Sequence, residues 1–236
     1  LAAYDTILHY RLLPPKPDPD IVILDIDEGS LAAMAPEYGR WPWPRQVFGE
    51  FLDLVGKQKP KAVVFDILFS DPDLFNPDSD SAFNTAIASA GQVFFPMLRL
   101  DPSSDSLSEI KASMIPGVRS DSQVKPEMDP KVAVVLPHFP AALSGKRLGF
   151  HNISPDDDGV VREYGVYRNE QGWILPSLPA RLGWEFDWQV PPSERVLLNW
   201  RGPPFSYRFV RFSDVFQDLL RKERRRPADE FTGKIL

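Results

Sequence analysis

Cysteine is absent from this 236-residue chain, which removes disulfides, thiolate nucleophiles and zinc–cysteine sites together. Long apolar runs are missing as well: no stretch approaches the roughly 20 residues of a membrane-spanning helix, and no cleavable signal peptide is visible. A basic excess is also lacking. With a net charge of −6 and a pI of about 5.2, the chain has little means of neutralising phosphates, so nucleic acid is not an expected partner. Its histidines, His9, His138 and His151, are widely separated and show no metal-ligand spacing or Ser/His/Asp signature.

What is present is enough apolar material for a real core, at 43% hydrophobic and 25% charged. That suits one large domain over residues 21–236, preceded by a lead-in over residues 1–20. The 25 prolines, about twice ordinary usage, are scattered and mark many stiff connections. The chain opens on a leucine and closes on FTGKIL, which reads as the first residues of a strand that has been cut off. Both features suggest an excised piece of a longer protein.

Along the chain, residues 1–13 suit a short helix and PPKPDPD an extended lead-in. Ile21–Ile26 is a strand. After GRWPWPR, Pro44 is placed to open a helix whose Val47, Phe48, Phe51, Leu52 and Val55 recur at helical spacing, with Gly56 as its stop. Ala62–Phe69 is an apolar run broken only by Asp66, as expected of a strand covered on both faces. Asp78 caps a second helix closed by Gly91, and Val93–Leu98 is a third strand. The β-α-β-α-β order implies a parallel sheet. Residues 99–129, rich in Ser, Asp and Pro, read as a long loop. Then come a strand at Val132–Leu136 and a hairpin of Leu148–Ile153 with Val160–Tyr167. A helix at Pro176–Phe186, a strand at Val196–Trp200 and a helix at Ser213–Leu220 complete the reading. The expected class is α/β: helices around a mainly parallel, mixed central sheet with an added β-hairpin.

Ligands of parallel sheets collect beyond the carboxyl ends of the strands, where Asp25, Asp27 and Asp66 fall, with Ser70 just past them. Each proline of GRWPWPR stiffens the segment, which should aim Arg45 at one place. A cation in a first helical turn is disfavoured by the backbone dipole. Arg45 is therefore expected to pair with Asp66 or Asp27, shielded by Trp41 and Trp43, at a cost of about 3–5 kcal/mol if one partner is removed. A fold-specifying ion pair and a ligand site are both compatible with that cluster. ILDIDEGS also has the Asp-x-Asp of a haloacid-dehalogenase-like phosphatase, Asp25 as nucleophile and Asp27 as acid/base. That pattern wants Thr or Val where Gly29 stands, and no matching lysine and acid set follows. The turn at residues 154–159 makes Asp156 and Asp158 weak cation ligands. An EF-hand alignment would put Gly165 where a glutamate belongs, so a tight turn with Gly159 at positive φ is the simpler reading. RKERRR from Arg221 reads as the solvated end of the last helix, or as a contact for anionic lipid headgroups.

These residues together resemble the second class of CHASE domains, extracytoplasmic sensory modules of bacterial adenylate cyclases, histidine kinases and related receptors. The resemblance rests on DIDEGSL from Asp25, GRWPWPR from Gly39, AVVFDILFSDPD from Ala62, the helix from Asp78, LGFHN from Leu148 and DDDGVVR from Asp156. It continues through LPSL from Leu175, NWRGP from Asn199 and GKIL from Gly233, in that order. It implies a sensor with no catalysis and no cofactor of its own, flanked in the parent by membrane spans and a cytoplasmic output domain, and paired as a homodimer. The ligand, if there is one, is not specified by the family. A module for dimerisation without a ligand is the other non-enzymatic reading.

Overall fold

The computed structural model describes residues 2–13, 15–121, 124 and 128–236. Its helices and strands, in chain order, are α1 (Ala2–Tyr10), β1 (Val22–Asp25), α2 (Glu28–Tyr38), α3 (Gln46–Gly56), β2 (Val63–Val64), α4 (Pro77–Ser89), β3 (Val93–Arg99), β4 (Arg119–Ser120), β5 (Val134–Val135), α5 (Pro140–Gly145) and β6 (Leu148–Phe150). They continue with β7 (Glu163–Gly165), β8 (Tyr167–Glu170), β9 (Trp173–Pro176), α6 (Leu178–Glu185), β10 (Arg195–Leu197), β11 (Arg208–Arg211) and α7 (Phe212–Leu220). None of the helices in the described residues is long and apolar enough to cross a membrane.

The centre is a parallel array. β1 pairs with β11, β2 with β3, and β3 with β6, all parallel, while β5 runs antiparallel to the end of β3. β1 and β2 are not neighbours. Ile235 bridges both Ile21 and Ala62 in parallel, so residues 234–236 lie between the two strands. The order is β11, β1, residues 234–236, β2, β3, β6. A smaller antiparallel sheet of β4, β9 and β8 and a β7–β10 ribbon sit apart. The α/β class is thus observed, with the mixed sheet expected.

Period-two alternation explains the two layers around the array. Val22, Val63, Phe65 and Phe95 pack towards α3, α4 and α7, where Phe48, Phe51, Phe83, Phe212 and Phe216 form the main core. Ala62, Phe94 and Ile235 turn the other way, against Leu178 and Leu182 of α6. Gly149 is where the α6 layer comes closest, since a Cβ there would run into the backbone of Leu178.

Several expectations need correction. The second strand is regular only at β2, because after Phe65 donates to Phe94 the chain leaves the sheet, and the Phe69 carbonyl instead accepts from His138. Leu148–Ile153 and Val160–Tyr167 do not form a hairpin: β6 joins β3 and β7 joins β10, and the hairpin is β8–β9. Asn76, with Pro77 at the first helical position, precedes α4, so Asp78 is inside the first turn. Pro44 lies before α3, whose N-cap is Arg45. The segment 99–129 contains 3-10 turns at Pro102–Leu107 and Ala112–Met114 and the strand β4; residues 122, 123 and 125–127 of that expected loop are outside the described residues, as is Leu1 of the first helix. RKERRR lies past α7, and part of it folds back: the Arg225 and Arg226 amides donate to Asp218, and Arg226 pairs with Glu230.

Candidate functional site

The carboxyl edge holds the residues singled out from sequence, but their partners differ from expectation. Asp27 ends the β1 segment as the N-cap of α2, accepting from the Ser30 amide at 2.7 Å. Its carboxylate also pairs with Arg211 at 3.0 Å. These bonds, the Ser30 amide first and the Arg211 guanidinium after it, hold the Asp27 carboxyl below its ordinary pKa. Asp66 pairs with His151 at 3.1 Å. Ser70 donates to its neighbour Asp71 at 2.8 Å and takes no part in the cluster.

Arg45 forms no ion pair among the described residues, which overturns the expected link to Asp66 or Asp27. Its guanidinium lies 5.0 Å from the ring centroid of Phe69, and its Nε is buried without a hydrogen-bond partner. The face of an aromatic ring, with its negative quadrupole, stands where a carboxylate was expected. Trp41 and Trp43 also divide. Trp43 is 1% exposed and packs on Phe48 and Phe212, whereas Trp41 is 41% exposed and touches Trp43 and Phe48 edge-on. The Trp-Pro segment therefore plugs the main core.

The acidic turn is closed in the way its sequence implies. Gly159 takes φ +80° and donates to Asp156 O at 2.8 Å, and Val160 N donates to the Asp158 side chain at 3.1 Å. Asp156 and Asp158 are committed to Arg162, at 2.8 and 2.7 Å, together with Asp5 of α1 at 2.7 Å. Arg162 is 4% exposed. Bonds to Arg162 pull the Asp158 carboxyl down to about 2 and lower that of Asp5. With a guanidinium filling the space between them, Asp156 and Asp158 are counter-ions in a clasp, which displaces the cation reading. Tyr4 also donates to Leu198 O at 2.5 Å and Arg11 to Asn199 at 2.9 Å, so α1 is tied to the segment after β10.

Two hollows were not legible in sequence. One, of about 800 Å³, runs between β1 and β2 and is walled by Phe48, Phe51 and Phe212 on one side and Leu178 and Leu182 on the other. Asp25, Asp66 and His151 stand among its lining residues. The other, of about 270 Å³, is polar and includes Arg168, Asn169, Glu170, Glu194 and Arg195. Glu170 there belongs to the buried Arg99, which it meets at 2.8 Å, with Asp105 on the same guanidinium at 2.8 Å. The Arg168 side chain has no hydrogen bond or ion pair among the described residues; it lies 5.4 Å from the Phe150 ring centroid, and burial, then Arg99, lower its pKa, with Glu170 acting the other way. It is a half-buried cation in a hollow that Glu163, Glu170 and Glu194 also line.

Asp27, which a phosphatase would need as acid/base, is spent on a helix cap and an arginine. A Cβ built on Gly29 would lie 2.6 Å from Arg211 Cζ, so the position where that pattern wants Thr or Val is kept bare by the same arginine. No group of His, Asp and Glu able to hold a metal ion occurs among the described residues.

A family model described as CHASE2 domain covers residues 1–236, the whole chain. No curated protein and no solved structure matches.

Proposed function

The chain belongs to the CHASE2 family of extracellular sensory domains of signalling receptors, which are not catalytic, and on that premise we propose that it is the input module of a bacterial receptor. In this reading it stands on the periplasmic or outer side of the cell membrane, as one domain over residues 21–236 behind a lead-in over residues 1–20. It governs a cytoplasmic adenylate or guanylate cyclase or a histidine kinase. The whole-chain family match carries the reading. The two hollows support it as places where a ligand could be held. The polar hollow supports a small ligand carrying polar groups, since Arg168 and Arg195 line it together with Glu163, Glu170 and Glu194. A ligand works here only through unequal affinity for two arrangements of the domain.

The test is the output rate of the full-length receptor in membrane vesicles, with Arg168→Gln and Arg162→Gln compared against wild type. Severalfold changes in cyclase or kinase rate are expected from lesions confined to this domain. Unchanged output in both variants would overturn the proposal, as would hydrolysis of p-nitrophenyl phosphate by the isolated domain that disappears in Asp25→Asn.

A further inference from the structure

The polar hollow of about 270 Å³ is lined both from β8 and from the β7–β10 ribbon. Arg168 and Glu170 are two residues apart on β8, so strand alternation sends both side chains to one face. On the ribbon, Gly165 stands opposite Arg195, and its bare backbone keeps the space open: a Cβ there would come within 3.4 Å of the Phe150 ring. Phe150, itself buried, is a wall of the hollow and carries the Arg168 guanidinium over its ring. Glu194 enters from just before β10, its backbone fixed because its carbonyl accepts from the Val166 amide at 2.7 Å.

Most of the charged groups around this space are already committed. Glu163 pairs with Arg195 at 3.2 Å. Both oxygens of Glu170 accept from Arg99, at 2.8 and 3.3 Å. Glu170 offsets part of the Arg168 charge, yet it leaves the N–H groups of that guanidinium unbonded. Two side chains are left over: neither Arg168 nor Glu194 has a side-chain hydrogen bond or ion pair among the described residues, and they do not pair with each other. One offers only donors and the other, ionised, only acceptors. A simple anion on Arg168 would share the hollow with the unpaired Glu194 carboxylate, and a simple cation on Glu194 would share it with Arg168. An apolar molecule would cover both groups without bonding either. We propose that the hollow binds a small zwitterion of the size of a free amino acid, its carboxylate on the Arg168 guanidinium and its ammonium on Glu194. A fork of N–H donors suits a carboxylate, and both bonds are charge-assisted. The volume lies just below the range of roughly 300–1,000 Å³ usual for ligand pockets, which suits a molecule of that size. The proposal rests on the reading of the domain as an input module and gives that module its ligand class.

Titration calorimetry of the 236-residue chain tests it with glycine, L-alanine, γ-aminobutyrate and 5-aminovalerate, a series that widens the gap between the two charges, and with acetate and methylammonium as single-charge controls. At least one of the four zwitterions is expected to bind, and each single-charge control to bind roughly tenfold more weakly or worse. Arg168→Gln and Glu194→Gln should each weaken the best zwitterion by roughly tenfold or more. Glu194 is exposed, so its variant carries the test even where Arg168→Gln disturbs β8. No binding by any of the four, acetate binding as tightly as the best zwitterion, or unchanged affinity in Glu194→Gln would overturn the proposal. Absence of binding in a chain whose Arg162→Gln variant still alters the output of the full-length receptor strikes this site alone and leaves the input-module reading standing. Binding that needs Arg168 and Glu194, with receptor output unmoved by any variant, supports the site and strikes that reading instead.

Discussion

At the scale of single residues, the Trp-Pro segment shows how an argument from charge can be displaced by one from packing. Arg45 was expected to seek a carboxylate because a cation at a helix start is unfavourable. The structure gives it Phe69, and the two carboxylates have other partners: Asp66 has His151, and Asp27 has Arg211 and the Ser30 amide. The two tryptophans, equivalent in sequence, have unequal burial because only Trp43 is stacked between α3 and α7. In urea denaturation, Trp43→Ala should cost about 3–5 kcal/mol through the cavity it leaves. Arg45→Ala should cost about 1 kcal/mol, the scale of a cation over a ring. The double variant of Arg45→Ala with Asp66→Asn should be additive to about 0.5 kcal/mol, as for residues that share no partner. A coupling well above that value would restore the ion pair and show the Phe69 contact to be secondary.

At the scale of elements, α1 depends on a clasp whose strength is set by pH. Arg162 gathers Asp5, Asp156 and Asp158, joining a helix near the start of the chain to the turn at residue 159. The Asp5 and Asp158 carboxyls are lowered in the folded protein, Asp158 to about 2, by bonds to that guanidinium. Groups lowered on folding stabilise fully above their unfolded pKa, near 4 for aspartate, and lose that contribution as pH falls through the folded value. Limited proteolysis and amide exchange should therefore show α1 released between about pH 4 and pH 2, with little change between pH 5 and pH 8. Arg162→Gln should release it at every pH, and protection of α1 that is flat down to pH 2 would contradict the clasp. The sequence could not reveal this device, because Arg162 and Asp5 are 157 residues apart and periodicity carries no long-range pairing. It did reveal elements with a strong apolar period, such as α3, α4 and β3. It missed α2, whose buried residues are only Ser30 and Met34 and which contains Gly29 and Pro36. β11 went unread for a related reason: a short segment of two arginines flanking Phe209 and Val210, with mixed exposure, has no clear pattern. The strand faces were legible from alternation, whereas the neighbours were not, since the placement of Ile235 between β1 and β2 leaves no local trace.

At the scale of the whole molecule, the question is whether the parts unfold together. The main core draws Val22 from β1, Phe48 from α3, Phe83 from α4, Phe150 from β6, Leu175 from β9 and Phe231 from the last segment, so residues far apart in sequence share one buried cluster. The α6 layer closes the other side of the same strands. A chain of this kind should lose its structure in one cooperative step, because no subset keeps a core of its own. α1 stands outside that unit: none of its described residues is buried, and it is held mainly through the Arg162 clasp and the bonds of Tyr4 and Arg11. Cleavage in the proline-rich segment 15–20 should therefore leave residues 21–236 folded. The cut domain should melt in a single transition, within about 4 °C of the intact chain, which for a domain of this size corresponds to a loss on the order of 1 kcal/mol. Calorimetry of the purified fragment measures this directly. Two resolved transitions would divide the core, and a collapse of the melting temperature would make α1 an integral part of it. Survival of the single transition instead fits a sensory unit whose lead-in can be moved without unfolding the domain, since the clasp can open while the buried cluster stays closed.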